Sequence, residues 1–417
     1  MTTHTPVLRT GRDMRTYGIA RALAAAGPLT LLYARFGASS PDPAFREIPG
    51  IELREVVPSR RLLRALSYAR ARLAGVPDGF ARGISSELAG AASELAGAPG
   101  CGRVIADGPT AAAALSRLAR HVPVIYNAHN LESSFRHELG REERRRLRGL
   151  RRFERRLLKR SAESWMVSHA DILAARELCP SARLRLVPNV VDVAAIEPVF
   201  GTDEPAFGAG FAAVPRPGLG EAPGPGRAAA PGPGPGPAAA LGPGPATAPG
   251  QSAIFVANFA YAPNRTALAF LLDDVFPRVW RELPDACLLL VGGGLGHPPS
   301  RDARVLALGF VEDLASAYRQ ARCAVVPLLQ GGGSPLKLIE ALAYGLPVVA
   351  TPRAVAGLEL HDGRDYLLAD GGAAFAETLV RVLRDGAPDI ARAGRRLAEE
   401  RYSVEALAGL LKQLDTL

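Results

Sequence analysis

Gln330–Thr351 reads QGGGSPLKLIEALAYGLPVVAT, which sets a glycine-rich loop, a helix punctuated at both ends and a buried strand one after another. Ser334 is a good N-cap, Pro335 suits the first helical position, and Gly345 can take the left-handed conformation that ends a helix. The spacing therefore predicts a helix over Leu336–Tyr344. Gly331, Gly332 and Gly333 precede it, where bare backbone N–H groups and the helix dipole make a site for phosphate or carboxylate. Lys337 and Glu340 share one helix face, the ammonium nearer the loop and the carboxylate a turn deeper. That arrangement suits a nucleoside diphosphate and its ribose. The same residues also read as a turn and an exposed ion pair worth roughly 0.2–0.5 kcal/mol. The loop is neither G-x-G-x-x-G nor a P-loop ending in Lys-Ser/Thr. Leu346–Ala350 reads as a strand buried on both faces of a parallel sheet.

Around this stretch, 417 residues of which 48% are hydrophobic allow two or three full cores. Cys101, Cys179, Cys287 and Cys323 stand far apart with no C-x-x-C pair. Zinc and a disulfide framework are disfavoured, and a reducing cytoplasm fits. No run of about 18 apolar residues occurs, and the amino terminus lacks a charged-then-apolar pattern. The expectation is a chain that neither spans a membrane nor is exported by that route. The net charge of +9 is concentrated between Arg141 and Arg160, where eleven Lys or Arg face three Glu. Leu147, Leu150, Phe153, Leu157 and Leu158 recur there at helical spacing, so one face packs and the arginines point outward. A solvated face is the first reading of such a run. Contact with anionic lipid headgroups, at roughly 1 kcal/mol per basic residue, comes second. Nucleic acid comes third and is not expected, because Phe153 is the one aromatic residue available for stacking.

The rest of the chain alternates helix and strand from Tyr17–Ala26 and Leu29–Ala34 onward. Val122–Asn127 leads into Ala128-His129-Asn130, which puts a histidine just past the carboxyl end of a parallel strand, on the rim where α/β sheets bind ligands. Taken alone, a loop histidine is more often a surface residue. From Gly201 to Gly250, twenty-five of fifty residues are Gly or Pro and most others are Ala, a composition that cannot build a core.

GGGSPLKLIEALAYGLPVVAT resembles the signature of glycosyltransferase family 4 and its group 1 relatives. The resemblance implies a GT-B architecture: two Rossmann-like α/β domains facing across a cleft and joined by the Pro/Gly/Ala-rich segment. The boundaries would be 1–199 for an acceptor-side domain, 200–250 for the linker and 251–400 for a nucleotide-sugar domain. Residues 401–417 would form a helix crossing back onto the first domain. The implied function is retaining sugar transfer from a nucleoside diphosphate sugar to an unknown acceptor, without metal or other cofactor, in the cytoplasm or at the inner face of the membrane.

The resemblance also distributes roles. His129 would face the transferred sugar, with Glu132 a weaker candidate. Thr10, Gly11 and Arg12 would hold the acceptor-side loop after a shortened first strand, of which Pro6–Arg9 is at most a stub. Gly309, Phe310 and Val311 would contact the base. Gly331, Gly332, Gly333, Ser334, Lys337 and Glu340 would bind the diphosphate and ribose. Three departures stand out. Asn258 replaces the family's phosphate-binding Arg, which leaves Arg265 near the neighbouring Lys position. Gly332 replaces the first acid of E-x7-E, and Val190 replaces the glycine of P-N-G-V-D. His129, Lys337 and Arg265 are the expected catalytic groups. The rivals are a GT-B nucleotide-sugar epimerase, whose cleft carboxylates the sequence does not place, and a degenerate binding protein.

Overall fold

A computed structural model of the chain describes residues 1–8, 10–36, 38–58, 61–135, 141–199, 251–295, 299–311, 313–330 and 334–413. The Pro/Gly/Ala-rich segment, Arg9 and the triple glycine Gly331, Gly332 and Gly333 lie outside the described residues.

Two groups of parallel strands organise the chain. In the first half, β1 (Leu29–Ala34) pairs with β2 (Ile51–Val56). A second set, β3 (Val104–Asp107), β4 (Val124–Asn127), β5 (Glu163–Met166) and β6 (Leu184–Leu186), pairs in sequence order. The chain's first two residues stitch these sets together. The Met1 amine donates to the Ile105 carbonyl at 2.7 Å, Asp107 N–H to the Met1 carbonyl at 2.9 Å, and Thr2 N–H to the Leu32 carbonyl at 2.9 Å. Met1–Thr2 thus occupies the place between β1 and β3 that the sequence reading offered to Pro6–Arg9. Pro6 has no N–H for a ladder, and its carbonyl instead accepts from Asp42 N–H at 2.9 Å.

The second half forms a six-stranded parallel sheet in the order β12-β11-β10-β7-β8-β9. Its strands are β7 (Ser252–Val256), β8 (Cys287–Val291), β9 (Val305–Gly309), β10 (Cys323–Val326), β11 (Val348–Ala350) and β12 (Leu367–Leu368). Helices cover both faces, so β8, β10 and β11 are buried along their whole length, as continuous apolar runs such as CLLLV and VVA require. Strand order reverses between β7 and β10. In an open α/β sheet that switch point is where the crevice for a ligand opens, beyond the carboxyl ends of the strands. The loops leaving β7 and β10 carry Asn258 and residues 327–330 to that place. Glycine is demanded where β8 ends: a Cβ on Gly292, at φ +125°, would lie 1.9 Å from the Ala257 carbonyl oxygen.

The halves meet along α1 (Gly11–Ala26). Its Ile19 and Ala22 share a buried cluster with Val404, Leu407, Ala408 and Leu411 of the last described helix and with Trp165, Val187 and Val190. Residues 189–192 thread this junction. Val191 N–H donates to the Tyr402 carbonyl at 2.9 Å, and Asp192 pairs with Arg21. Arg395 donates to the carbonyls of Ile196 and Val193 at 2.9 and 3.1 Å.

Candidate active site

The helix after the triple glycine spans Leu336–Ala343. Gly345 follows at φ +73°, the left-handed residue that ends it. Its start corrects the sequence reading. Pro335, at φ −67° and ψ 112°, is the N-cap, and no side chain caps the helix. Proline biases the residue before it away from helical backbone, which puts Ser334 one position too early to reach the first-turn N–H groups. The Ser334 hydroxyl is buried without a partner among the described residues, and the Ser334 carbonyl accepts from Asn189 Nδ2 at 2.7 Å. A helix N-terminus with open N–H groups beside an orphaned hydroxyl is chemically matched to an anion.

Lys337 and Glu340 do not form an exposed ion pair. Lys337 Nζ donates to Asn264 Oδ1 at 2.6 Å and lies 5.1 Å from the centre of the Phe255 ring. Burial pushes the ammonium down to about 7, against the opposing pull of Glu340. Burial pushes Glu340 up to about 7, against a bond from Tyr318 and the charge of Lys337. The Tyr318 hydroxyl reaches Glu340 Oε2 at 3.5 Å, and its ring stacks on Tyr344 with centroids 4.2 Å apart. Two half-buried ionisable groups thus sit one helical turn apart, each bonded to a neutral side chain, Asn264 for Lys337 and Tyr318 for Glu340.

Around them, Asn264 Nδ2 donates to the Asn258 carbonyl at 2.7 Å, and Asn258 Oδ1 accepts from Ala260 N–H at 3.0 Å. The exposed Arg265 folds back onto its own loop, donating to the Ala260 and Phe259 carbonyls at 2.5 and 3.3 Å. Gly309 ends β9 at φ +67°. Phe310 stands 72% exposed, whereas Val311 packs against the core.

On the facing side, Thr10 caps α1 in a reciprocal bond pair with Asp13. A Cβ on Gly11 would come within 3.9 Å of Leu336 Cδ1, so the start of α1 abuts the start of the Lys337 helix. Arg12 is exposed beside it. His129 Nε2 lies 2.7 Å from Asp107 Oδ1, and its Nδ1 is buried without a partner among the described residues. Burial alone would raise Asp107, but the adjoining His129 and a 2.7 Å bond from Thr16 outweigh it and hold the carboxyl well below its usual range. Glu132 opens a short 3-10 turn after His129. That turn is anchored by Asp171, which accepts from Leu131 N–H at 3.3 Å, and by Glu154, which accepts from Ser133 N–H at 3.3 Å. Burial pushes Glu154 up to about 7.

Sequence reasoning missed four buried residues of this network. Arg15 donates to the Val187 carbonyl and Asn189 Oδ1 at 3.0 Å and to Asn127 Oδ1 at 2.7 Å. Burial lowers its guanidinium to about 10 despite the nearby Asp107. Asn127 Nδ2 in turn donates to Asp107 Oδ1 at 2.8 Å. One partial signal was available, that Asp107 and Asn127 each end an apolar strand; their pairing as register partners in β3 and β4 is visible only in the structure.

Comparison with known proteins agrees with this geometry. Residues 250–385 match the family model described as Glycosyl transferases group 1. A phosphatidyl-myo-inositol mannosyltransferase of Mycobacterium leprae is 33% identical over 145 residues, 33% of this chain and 38% of that protein. The Mycolicibacterium smegmatis protein of the same name is 32% identical over 167 residues, 37% of this chain and 42% of its own. The match spans less than half the length of these relatives. Among solved structures, Anabaena Alr3699/HepE in complex with UDP and glucose aligns over 100% of both chains with a TM-score of 0.57 at 14% identity. Sucrose-phosphate synthase from Thermosynechococcus elongatus gives a TM-score of 0.64 at 16% identity, covering 99% of this chain and 94% of that one. WaaG, involved in lipopolysaccharide biosynthesis, gives 0.57 at 13% identity, covering 99% of each chain. With the six-stranded switch-point sheet and the Lys337–Glu340 helix at its mouth both inside the matched stretch, residues 250–385 are similar to the group 1 glycosyl transferases, and the chain has the GT-B fold.

Proposed function

We propose that this protein is a hexosyltransferase of glycosyltransferase family 4 type that moves a sugar from a nucleoside diphosphate sugar to an acceptor hydroxyl with retention and without a metal. The observation that carries this reading is the placement of Lys337 and Glu340 on one face of a helix whose N-terminus no side chain caps, at the switch point of the sheet. The diphosphate would lie against Lys337 Nζ and the N–H groups of the 331–337 segment, the ribose hydroxyls would bond to Glu340, and the base would rest near Gly309, Phe310 and Val311. As the C1–O bond breaks, its electron pair goes to the diphosphate and the acceptor oxygen bonds C1 on the same face. The acceptor's proton passes to the departing diphosphate. Lys337 and the helix terminus stabilise the charge that develops there, with no reorganisation needed at that moment. His129, held by Asp107, would face the sugar. Arg265 would have to leave its own loop carbonyls to contribute.

In this reading residues 1–199 carry the acceptor, with Thr10, Gly11 and Arg12 nearest the donor helix, and 251–400 hold the donor. The sequence match to phosphatidyl-myo-inositol mannosyltransferases and the basic helix Arg141–Arg160 together favour an acceptor presented at an anionic membrane on the cytoplasmic side. Arg148, Arg151, Arg152 and Arg155 line a surface hollow of about 340 Å³ with Glu177 and Leu178, a cluster suited to phosphate groups. No helix among the described residues is long and apolar enough to cross a membrane. The epimerase and binding-protein alternatives gain no comparable support.

The test is calorimetry with nucleoside diphosphates followed by single-turnover transfer from their sugars. Lys337→Ala should reduce the transfer rate about 100- to 1000-fold, more than it reduces nucleotide affinity. Transfer at the parent rate would remove Lys337 from the mechanism, and absence of nucleoside diphosphate binding by the parent protein would sink the reading.

A further inference from the structure

A line of buried hydrogen bonds runs from the donor side of the cleft to His129. Ser334, immediately before the uncapped helix, gives its carbonyl to Asn189 Nδ2 at 2.7 Å. Asn189 Oδ1 accepts from Arg15 at 3.0 Å, Asn127 Oδ1 accepts from the same guanidinium at 2.7 Å, and Asn127 Nδ2 donates to Asp107 at 2.8 Å. Asp107 holds His129 at 2.7 Å. Arg15, Asn127, Asp107 and Asn189 are all buried.

The polarity of this line is fixed by chemistry. A guanidinium can only donate and a carboxylate can only accept. Arg15 at the centre therefore turns both amide oxygens toward itself and both amide NH2 groups outward, one to Asp107 and the other to the Ser334 carbonyl across the domain junction. A buried arginine is a costly way to hold two loops together, since an apolar contact of the same volume would serve as well or better. Its orienting effect is the part that apolar packing cannot supply. Through it, where the Ser334 backbone sits is coupled to where the His129 ring is held.

We infer that Asn189 is a positioning residue that sets His129 relative to the donor loop, acting through Arg15, Asn127 and Asp107 and by its bond to the Ser334 carbonyl. The inference rests on the proposed transferase reading for its kinetic consequence and on the hydrogen-bond line alone for its structural one. Asn189 touches neither reacting group. Its effect falls on the rate of transfer, because misplacing a reacting group by about 1 Å can lower a rate about 100-fold without loss of binding.

Asn189→Asp separates positioning from packing. The variant keeps the shape and can still accept from Arg15, with a charge that favours that contact, but it has no proton for the Ser334 carbonyl. It should melt no lower than the parent and bind nucleoside diphosphate within about threefold of the parent, yet transfer sugar roughly 10- to 100-fold more slowly. Parent stability with parent turnover would overturn the inference. Should the variant melt lower, Asn189→Ala, His129→Ala and the double variant decide: effects on turnover that multiply independently would overturn it, and a double variant no slower than the worse single one would support it. A third arm does not depend on transfer. The His129 ring-proton resonances, assigned by their loss in His129→Gln, should move in Asn189→Ala, and resonances that stay in place would overturn the coupling. A parent protein that transfers no sugar would count against the proposed function, while this arm still decides the inference.

Discussion

Raising the pH from 7 to 9 should weaken nucleoside diphosphate binding, and Lys337 is the reason. In the free protein burial pushes its ammonium down from 10.5 to about 7, so above pH 7 the side chain is increasingly neutral. A diphosphate against Nζ supplies the missing counter-charge and raises the bound-state value. The sign follows: binding takes up a proton wherever the bound form is protonated and the free form is not, so affinity is highest near and below pH 7 and falls as pH rises toward the bound value. Each unit of recovered shift is worth about 1.36 kcal/mol. Recovery of one to two units predicts a loss of roughly 10- to 100-fold in affinity by pH 9. Glu340 works in the opposite direction. Burial raises it to about 7, and ribose hydroxyls favour its ionised form, so affinity also falls as pH drops below 7. Calorimetry in buffers of different ionisation enthalpy measures both affinity and proton uptake. Lys337→Met should flatten the alkaline arm and Glu340→Gln the acidic arm. Constant affinity from pH 7 to 9, or an alkaline arm that persists in Lys337→Met, would refute the argument.

Three further outcomes are expected. Shortening 200–250 to roughly ten flexible residues should leave the melting temperature and turnover nearly unchanged, because loop closure costs only about 0.6 kcal/mol per doubling of length; activity lost with both halves folded would show that the segment does more than connect. Gly292→Ala should destabilise by at least about 1–3 kcal/mol in chemical denaturation, since its Cβ would overlap the Ala257 carbonyl at 1.9 Å on backbone at φ +125°. Arg148→Glu with Arg152→Glu should weaken sedimentation with anionic vesicles by about 1 kcal/mol or more per residue and leave nucleotide affinity unchanged; equal binding to neutral and anionic vesicles would remove the lipid reading.

Local chemistry was legible in the sequence where partners are close in the chain. The Leu336–Ala343 helix, its glycine stop and the apolar strands all follow from spacing and residue type within a few positions. Ser334 was misread within the same stretch, because Ser and Pro each signal a helix start and only the backbone shows that Pro335 takes the cap. The Arg15 network was beyond such reading. Its bonds join residues 112 and 174 positions apart, and a single arginine in an otherwise ordinary helix carries no mark of what it will meet. In the sequence Asp107 stands before Gly108 and Pro109, a local pattern that signals a turn. Only when β3 and β4 pair does it meet Asn127 and become the residue that holds His129.

Val190 shows how a departure from a family pattern can be absorbed by a distant residue. The pattern has glycine there, and valine would ordinarily crowd a backbone that runs between two domains. In this chain Val190 packs against Gly18 of α1, where a Cβ would lie 2.7 Å from Val190 Cγ2 and 3.3 Å from its carbonyl oxygen. The small residue at this contact is Gly18 of the helix that the 189–192 segment faces. That contact keeps α1 close enough for Arg15 to reach Val187 and Asn189 from one side while Asn189 reaches Ser334 on the other. The side chain of Val190 lies in a buried cluster, and its neighbours Asn189 and Val191 are bonded to Ser334 and to the Tyr402 carbonyl. Packing at Val190 and Gly18 is therefore the steric condition for the line of bonds that joins the Ser334 carbonyl to the Asp107–His129 pair through Asn189 and Arg15.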